Sequence, residues 1–145
     1  MKRLGKLVSQ VVLVAVTATV GSVHADDQDV IDYRKHIMTT MREQVAILGM
    51  ILEERAPAND LATHAQILAI TATTAKMSFE QEIQGGDSKP DVWTKWDDFA
   101  KRMDALVAAT EDLAKSAQNG GPAAVATKMK ALNCRNCHDT YRVPR

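Results

Sequence analysis

"WDDFAKRMDALVAATEDLAKSA", residues 96–117, decides the fold. Within it Trp96, Phe99, Met103, Leu106, Thr110, Leu113 and Ala117 recur at steps of three and four without a slip. That spacing lays one apolar seam along an α-helix. The stretch is bounded on both sides. Upstream, residues 84–90 read Gln-Gly-Gly-Asp-Ser-Lys-Pro, with Pro90 just inside a plausible helix start. Downstream, Asn119-Gly120-Gly121-Pro122 stops the pattern and starts the next.

The same reading extends outward. Ile31, Arg34, Met38, Met41, Val45, Leu48 and Leu52 form the seam of a first helix that closes before Pro57. A second helix runs from Asp60 to about Glu80 through Leu61, His64, Leu68, Thr71, Ala75 and Phe79. A fourth is drawn from Ala123 to about Tyr141. No segment alternates like a strand, and nothing repeats. Four helices of similar length with short connections predict an all-α chain, an antiparallel up-down four-helix bundle. A period nearer 3.5 than 3.6 suits nearly parallel axes.

Residues 1–25 stand apart. Lys2, Arg3 and Lys6 precede an apolar run from Val11 to Val23, and Val23-His24-Ala25 is a small-residue cleavage pattern. This is the layout of a cleaved signal peptide, so residues 26–145 are the expected mature domain and its location the periplasm. From Asp26 onward fifteen basic residues face eighteen acidic ones, a net charge of −3. A mildly acidic chain without a basic cluster is a poor nucleic-acid binder. No other stretch is apolar enough to span a membrane, so the mature protein is expected to be soluble.

The only two cysteines lie in "NCRNCHDT", residues 133–140. Three chemistries fit two thiols at this spacing. A structural zinc site needs four ligands, whereas Cys134, Cys137 and His138 supply three. His36 falls off the first seam and is expected to face water, leaving no second ligand pair. A redox-active disulfide needs its thiols at the start of a helix that follows a strand, whereas this motif sits late in an all-helical chain. Covalent haem attachment fits best. Two thiols add to the two vinyl groups of one haem, and the adjacent His138 reaches the iron. One motif means one haem c.

A C-terminal CxxCH on a four-helix bundle resembles the class II c-type cytochromes, the cytochrome c′ family. The resemblance covers residues 29–142 and rests on "YRKHIMTTM" (33–41), "GGDSKPDVW" (85–93) and "CRNCHDTYR" (134–142). It implies a haem inside one end of the bundle, with His138 as proximal iron ligand and helix one over the distal face. The family's distal position falls on Met38. A thioether there resembles the low-spin, methionine-ligated branch, with Met41 one turn along as the fallback. The plain alternative is that Met38, like Met41, Met103 and Met129, fills core. Arg34 occupies a seam position, where a charge either pairs with a haem propionate or snorkels to water. Arg142 matches an arginine that the family places near the proximal histidine; otherwise it is a fraying terminal charge. Tyr33, Trp93 and Trp96 read as packing residues.

The expected function is electron transfer, with gas binding as the alternative. With Met38 on the iron, Met/His ligation raises the potential and closes the site, as in a periplasmic electron carrier that meets redox proteins transiently. With the distal face open, the protein binds nitric oxide or another small gas. No nucleophile–base grouping, paired carboxylates or phosphate loop points to an enzyme, and the acidic pair Asp97-Asp98 reads as a solvated face. Homodimers are common in the resembled family, and helix one or two is expected to supply such a contact here.

Overall fold

The computed structural model describes residues 25–144, so the expected leader lies outside the described residues except for Ala25. The element order is α1 (Asp27–Leu52), a 3₁₀ turn (Ala58–Asp60), α2 (Leu61–Met77), α3 (Asp91–Thr94), α4 (Trp96–Asn119), α5 (Gly121–Ala131) and α6 (Cys134–Tyr141). Asp26 caps α1 with a reciprocal box. Its carboxylate accepts from Asp29 N at 2.8 Å, and Asp29 accepts from Asp26 N at 3.3 Å. The acidic first turn suits the positive end of the helix dipole.

The four-helix bundle is present as expected, with α2 packed on α1 and α4, α4 on α5, and α5 closing on α1. Among the described residues no helix is long and apolar enough to cross a membrane. Three details differ from the sequence reading. Pro90 starts the separate short α3 rather than the long helix, because Lys95 (φ −123°, ψ 43°) breaks the path before Trp96. Helix two ends at Met77, and its buried stripe runs through Leu61, Ala65, Leu68, Ala72 and Ala75 instead of His64 and Thr71. The fourth helix is two helices. Leu132 turns extended (φ −69°, ψ 109°), and Asn133 then caps α6 by accepting from Asn136 N at 3.1 Å.

The core has two parts. Leu48, Leu61, Leu68, Leu113 and Val125 hold the end of the bundle away from the cysteines. Each such fully buried aliphatic side chain contributes about 1.5–3 kcal/mol. Ile37, Phe79, Val92, Phe99, Met103 and Tyr141 form the second part, against which Met38, Trp93, Trp96 and Cys137 pack. Phe99 meets Phe79 and Tyr141 edge-on, at centroid distances of 5.1 and 5.2 Å. Tyr33, expected to pack, is instead 51% exposed.

Candidate haem site

Beside this second core lies a cavity of about 790 Å³, walled by α1, α4, α6 and the α2–α3 segment. Its wall brings together Cys134, Cys137, His138, Met38, Met41, Arg34 and Arg142. These are all the residues singled out from the sequence as haem-binding, from positions a hundred residues apart in the chain.

The break at Leu132–Asn133 changes the setting of the motif. Cys134 opens α6, so the thiols stand at the start of a helix and not late in one. That removes half of the argument against a disulfide; the other half stands, because a helix and not a strand precedes the motif. Burial pushes the Cys137 thiol above its ordinary pKa. Both cysteines are free. Among the described residues no three His, Cys, Asp or Glu side chains converge on a metal-ion site, so zinc has no cage here. Two free thiols, an adjacent imidazole and a cavity large enough for a macrocycle fit a covalent haem.

Met38 and Met41 both line the cavity while packing on the neighbouring core. His36 is exposed, as expected, and His64 Nδ1 pairs with Gln44 Oε1 at 2.8 Å between α1 and α2. Arg34 is only 4% exposed, so it does not snorkel. Its guanidinium donates to the backbone oxygens of Ser78, Gln81 and Ile83 and lies over the Phe79 and Trp93 rings. Burial pulls its pKa down, and the three carbonyls and two aromatic faces offset that cost. Arg142 is half-buried, and its backbone bridges to Ser88, so it is not a frayed charge.

The sequence reading missed how α6 is fastened to α4. Asp98 is exposed, as expected, and it also accepts from the buried Tyr141 hydroxyl and from Arg102 Nε at 2.8 Å. Arg102 Nη1 continues to Asn136 O at 2.6 Å, Asn136 Oδ1 at 3.0 Å and Thr140 Oγ1 at 3.3 Å. The Asp98/Arg102 spacing of four was a readable signal. Their reach to α6 was not.

The fold and site define a helical bundle built to hold one covalent haem. The family model for cytochrome c′ matches residues 29–142, and the chain belongs to that family. Its cofactor is one covalent haem c, and the family's members are haem proteins without enzymatic activity. The chain is 27% identical over 136 residues to cytochrome c′ of Rhodospirillum rubrum, covering 90% of this chain and 92% of the relative. It is 29% identical over 122 residues to cytochrome c-554 of Cereibacter sphaeroides, covering 77% and 91%. The bundle superposes with a TM-score of 0.76 on the nitric oxide complex of a variant cytochrome c prime from Alcaligenes xylosoxidans. That match has 21% identity and covers 84% of this chain and 100% of the other.

Proposed function

We propose that this is a periplasmic monohaem protein that binds a small diatomic gas such as nitric oxide. In this reading Cys134 and Cys137 hold the haem as thioethers and His138 is the proximal iron ligand. Bound there, the haem would supply an iron able to take a small ligand. The chain's residues do the rest. His138 donates from the helical turn that also carries the thiols, Met38 fills the face lined by α1, and Arg142 places positive charge in the cavity wall. Arg34 is assigned to holding the α2–α3 segment and not to a propionate, because three carbonyls already take its donors.

The observation that carries this reading is the single cavity shared by the CxxCH residues and Met38. Relatives named cytochrome c′ and a solved nitric oxide complex with the same bundle support the gas-binding form. A second reading rests on Met38 itself. If its thioether is the sixth ligand, the site is closed and the protein is an electron carrier with transient redox partners. In either case, the uncharged outer face of α2 is the proposed contact for a second copy of the chain.

Spectra of the ferric protein and of Met38→Ala, with and without nitric oxide, separate the two. Gas binding expects a high-spin ferric spectrum that the substitution leaves unchanged. It also expects a nitric oxide association rate about tenfold higher in Met38→Ala, equivalent to removing about 1.4 kcal/mol of steric cost. A low-spin ferric spectrum whose sulfur-to-iron charge-transfer band disappears in Met38→Ala would put electron transfer first.

A further inference from the structure

Segment 78–90, which joins α2 to α3, touches both walls of the cavity. Its first half is gripped from α1. Arg34, one turn before Met38, donates Nε to Ser78 O at 2.7 Å, Nη2 to Gln81 O at 2.7 Å and Nη1 to Ile83 O. Its second half is paired with the end of α6. Lys89 N donates to Tyr141 O at 2.9 Å, Val143 N donates to Asp87 O at 2.8 Å, and Ser88 bridges Arg142. Lys89 Nζ adds bonds to Asp139 O at 3.3 Å and Thr140 O at 3.1 Å, at the negative end of α6. Between the two grips Gly85 (φ +133°) and Gly86 (φ +62°) lie against Ile31 of α1. A Cβ at either would come within 2.7 or 2.8 Å of that side chain.

α6 needs such a tie. It is a short helix that packs directly on α3 and α4, while the main contacts of α1 go to α2. The extended Leu132 and the cap Asn133 leave its link to α5 a hinge and not a continuous rod. The helix that carries the haem-binding residues is thus tied twice, to α4 through Asp98, Arg102 and Tyr141, and to the helix that carries Met38 through segment 78–90.

We propose that segment 78–90 is a brace that sets the separation of α1 from α6, and that Arg34 is the positioning residue that anchors it. The proposal rests on the haem reading above. Its consequence is that the room on the distal face, between Met38 and whatever α6 holds, is controlled by residues that need not touch the iron or its ligand. An arginine suits the anchor because its fork serves three carbonyls from one fixed plane; lysine keeps the charge and loses the fork.

The test uses holoprotein carrying Arg34→Lys, Lys89→Met or both, read by amide hydrogen exchange and by carbon monoxide association with the ferrous form. Arg34→Lys is expected to speed exchange at Lys89 and Val143, which Arg34 does not contact, by about tenfold through local opening. Lys89→Met is expected to do the same at Ile83. Both should raise the carbon monoxide association rate several-fold, and the double variant should not exceed the larger single effect. Exchange that changes only within residues 78–83 in Arg34→Lys would overturn the brace. Faster exchange with an unchanged carbon monoxide rate would overturn the positioning role. Should Arg34→Lys fail to fold, Lys89→Met alone decides, by exchange at Ile83 and by the same rate. Failure of the haem reading is seen separately, as wild-type protein without a haem absorption band, while exchange still reports on the brace.

Discussion

Tyr141 shows how much a single residue near the chain end can carry. Its ring packs edge-on against Phe99, and its hydroxyl donates to Asp98 on α4. Burial and the neighbouring carboxylate push its pKa up to about 12, while the hydroxyl holds Asp98 below its ordinary 3.8. The two shifts act in opposite pH windows. Tyr141 is raised, so its contribution is complete below its ordinary pKa of 10.0 and is lost as the pH climbs toward 12. Asp98 is lowered, so its contribution is complete above 3.8 and is lost as the pH falls through its depressed value. Tyr141→Phe should cost about 1 kcal/mol at neutral pH, a fall in Tm of roughly 3–6 °C. The Tm gap between wild type and variant should stay flat through neutral and mildly alkaline pH, then close as the pH climbs from 10 toward 12. Thermal scans at several pH values check this, and a gap still constant near the upper end would mean that the hydroxyl and carboxylate are not coupled.

At the scale of elements, the long helices were legible and the joints were not. The seam of α4 read directly because Phe99, Met103 and Leu113 must all face the interior, and that demand writes a period into the sequence; in α1, Arg34 and Leu48 of the drawn seam are buried, but so are Ile37 and Ile51 beside it. The split of the fourth helix escaped because apolar spacing alone carries across Leu132; the informative residue was Asn133, a strong cap. The clustering of CxxCH, Met38 and Arg142 was legible through motif and family register. The grip of Arg34 on residues 78–83 was not, since hydrogen bonds to carbonyls 44 to 49 positions away leave no local pattern. α2 holds a different message. Its exposed positions Thr63, Gln66, Ile70, Thr73 and Met77 recur at helical spacing without a charge among them, and Ile70 and Met77 are 59% and 61% exposed. This uncharged outer face is the contact proposed above for a second copy of the chain. Sedimentation equilibrium should therefore find a dimer at micromolar concentration, and Ile70→Glu with Met77→Glu should yield a monomer with an unchanged haem spectrum. A wild-type monomer under those conditions would remove α2 as an interface.

Across the whole molecule, charge and attachment site run against each other. From Asp26 to Gly120 the chain has ten basic and seventeen acidic residues, a net −7; from Gly121 to the end it has five basic and one acidic, a net +4. The second stretch is α5 and α6, the part that carries the thiols, and on it Lys130 and Arg135 are exposed. A mildly acidic protein thus carries its excess of positive charge on the stretch that holds the thiols, with Lys130 and Arg135 exposed and Lys128 paired with Asp112. At about 0.1 M salt the Debye length is about 10 Å, so an anionic reagent that approaches α6 is expected to feel the exposed Lys130 and Arg135 more than most of the acidic remainder. Ferricyanide, which takes one electron from the ferrous protein, should therefore react more slowly as salt is raised, the mark of attraction, although both reactants carry net negative charge. Lys130→Glu with Arg135→Glu should flatten or reverse that dependence without shifting the visible spectrum, because neither side chain belongs to the core around the site. If wild type instead reacts faster with added salt, the acidic remainder governs approach, and electron exchange does not take place through the α5–α6 surface.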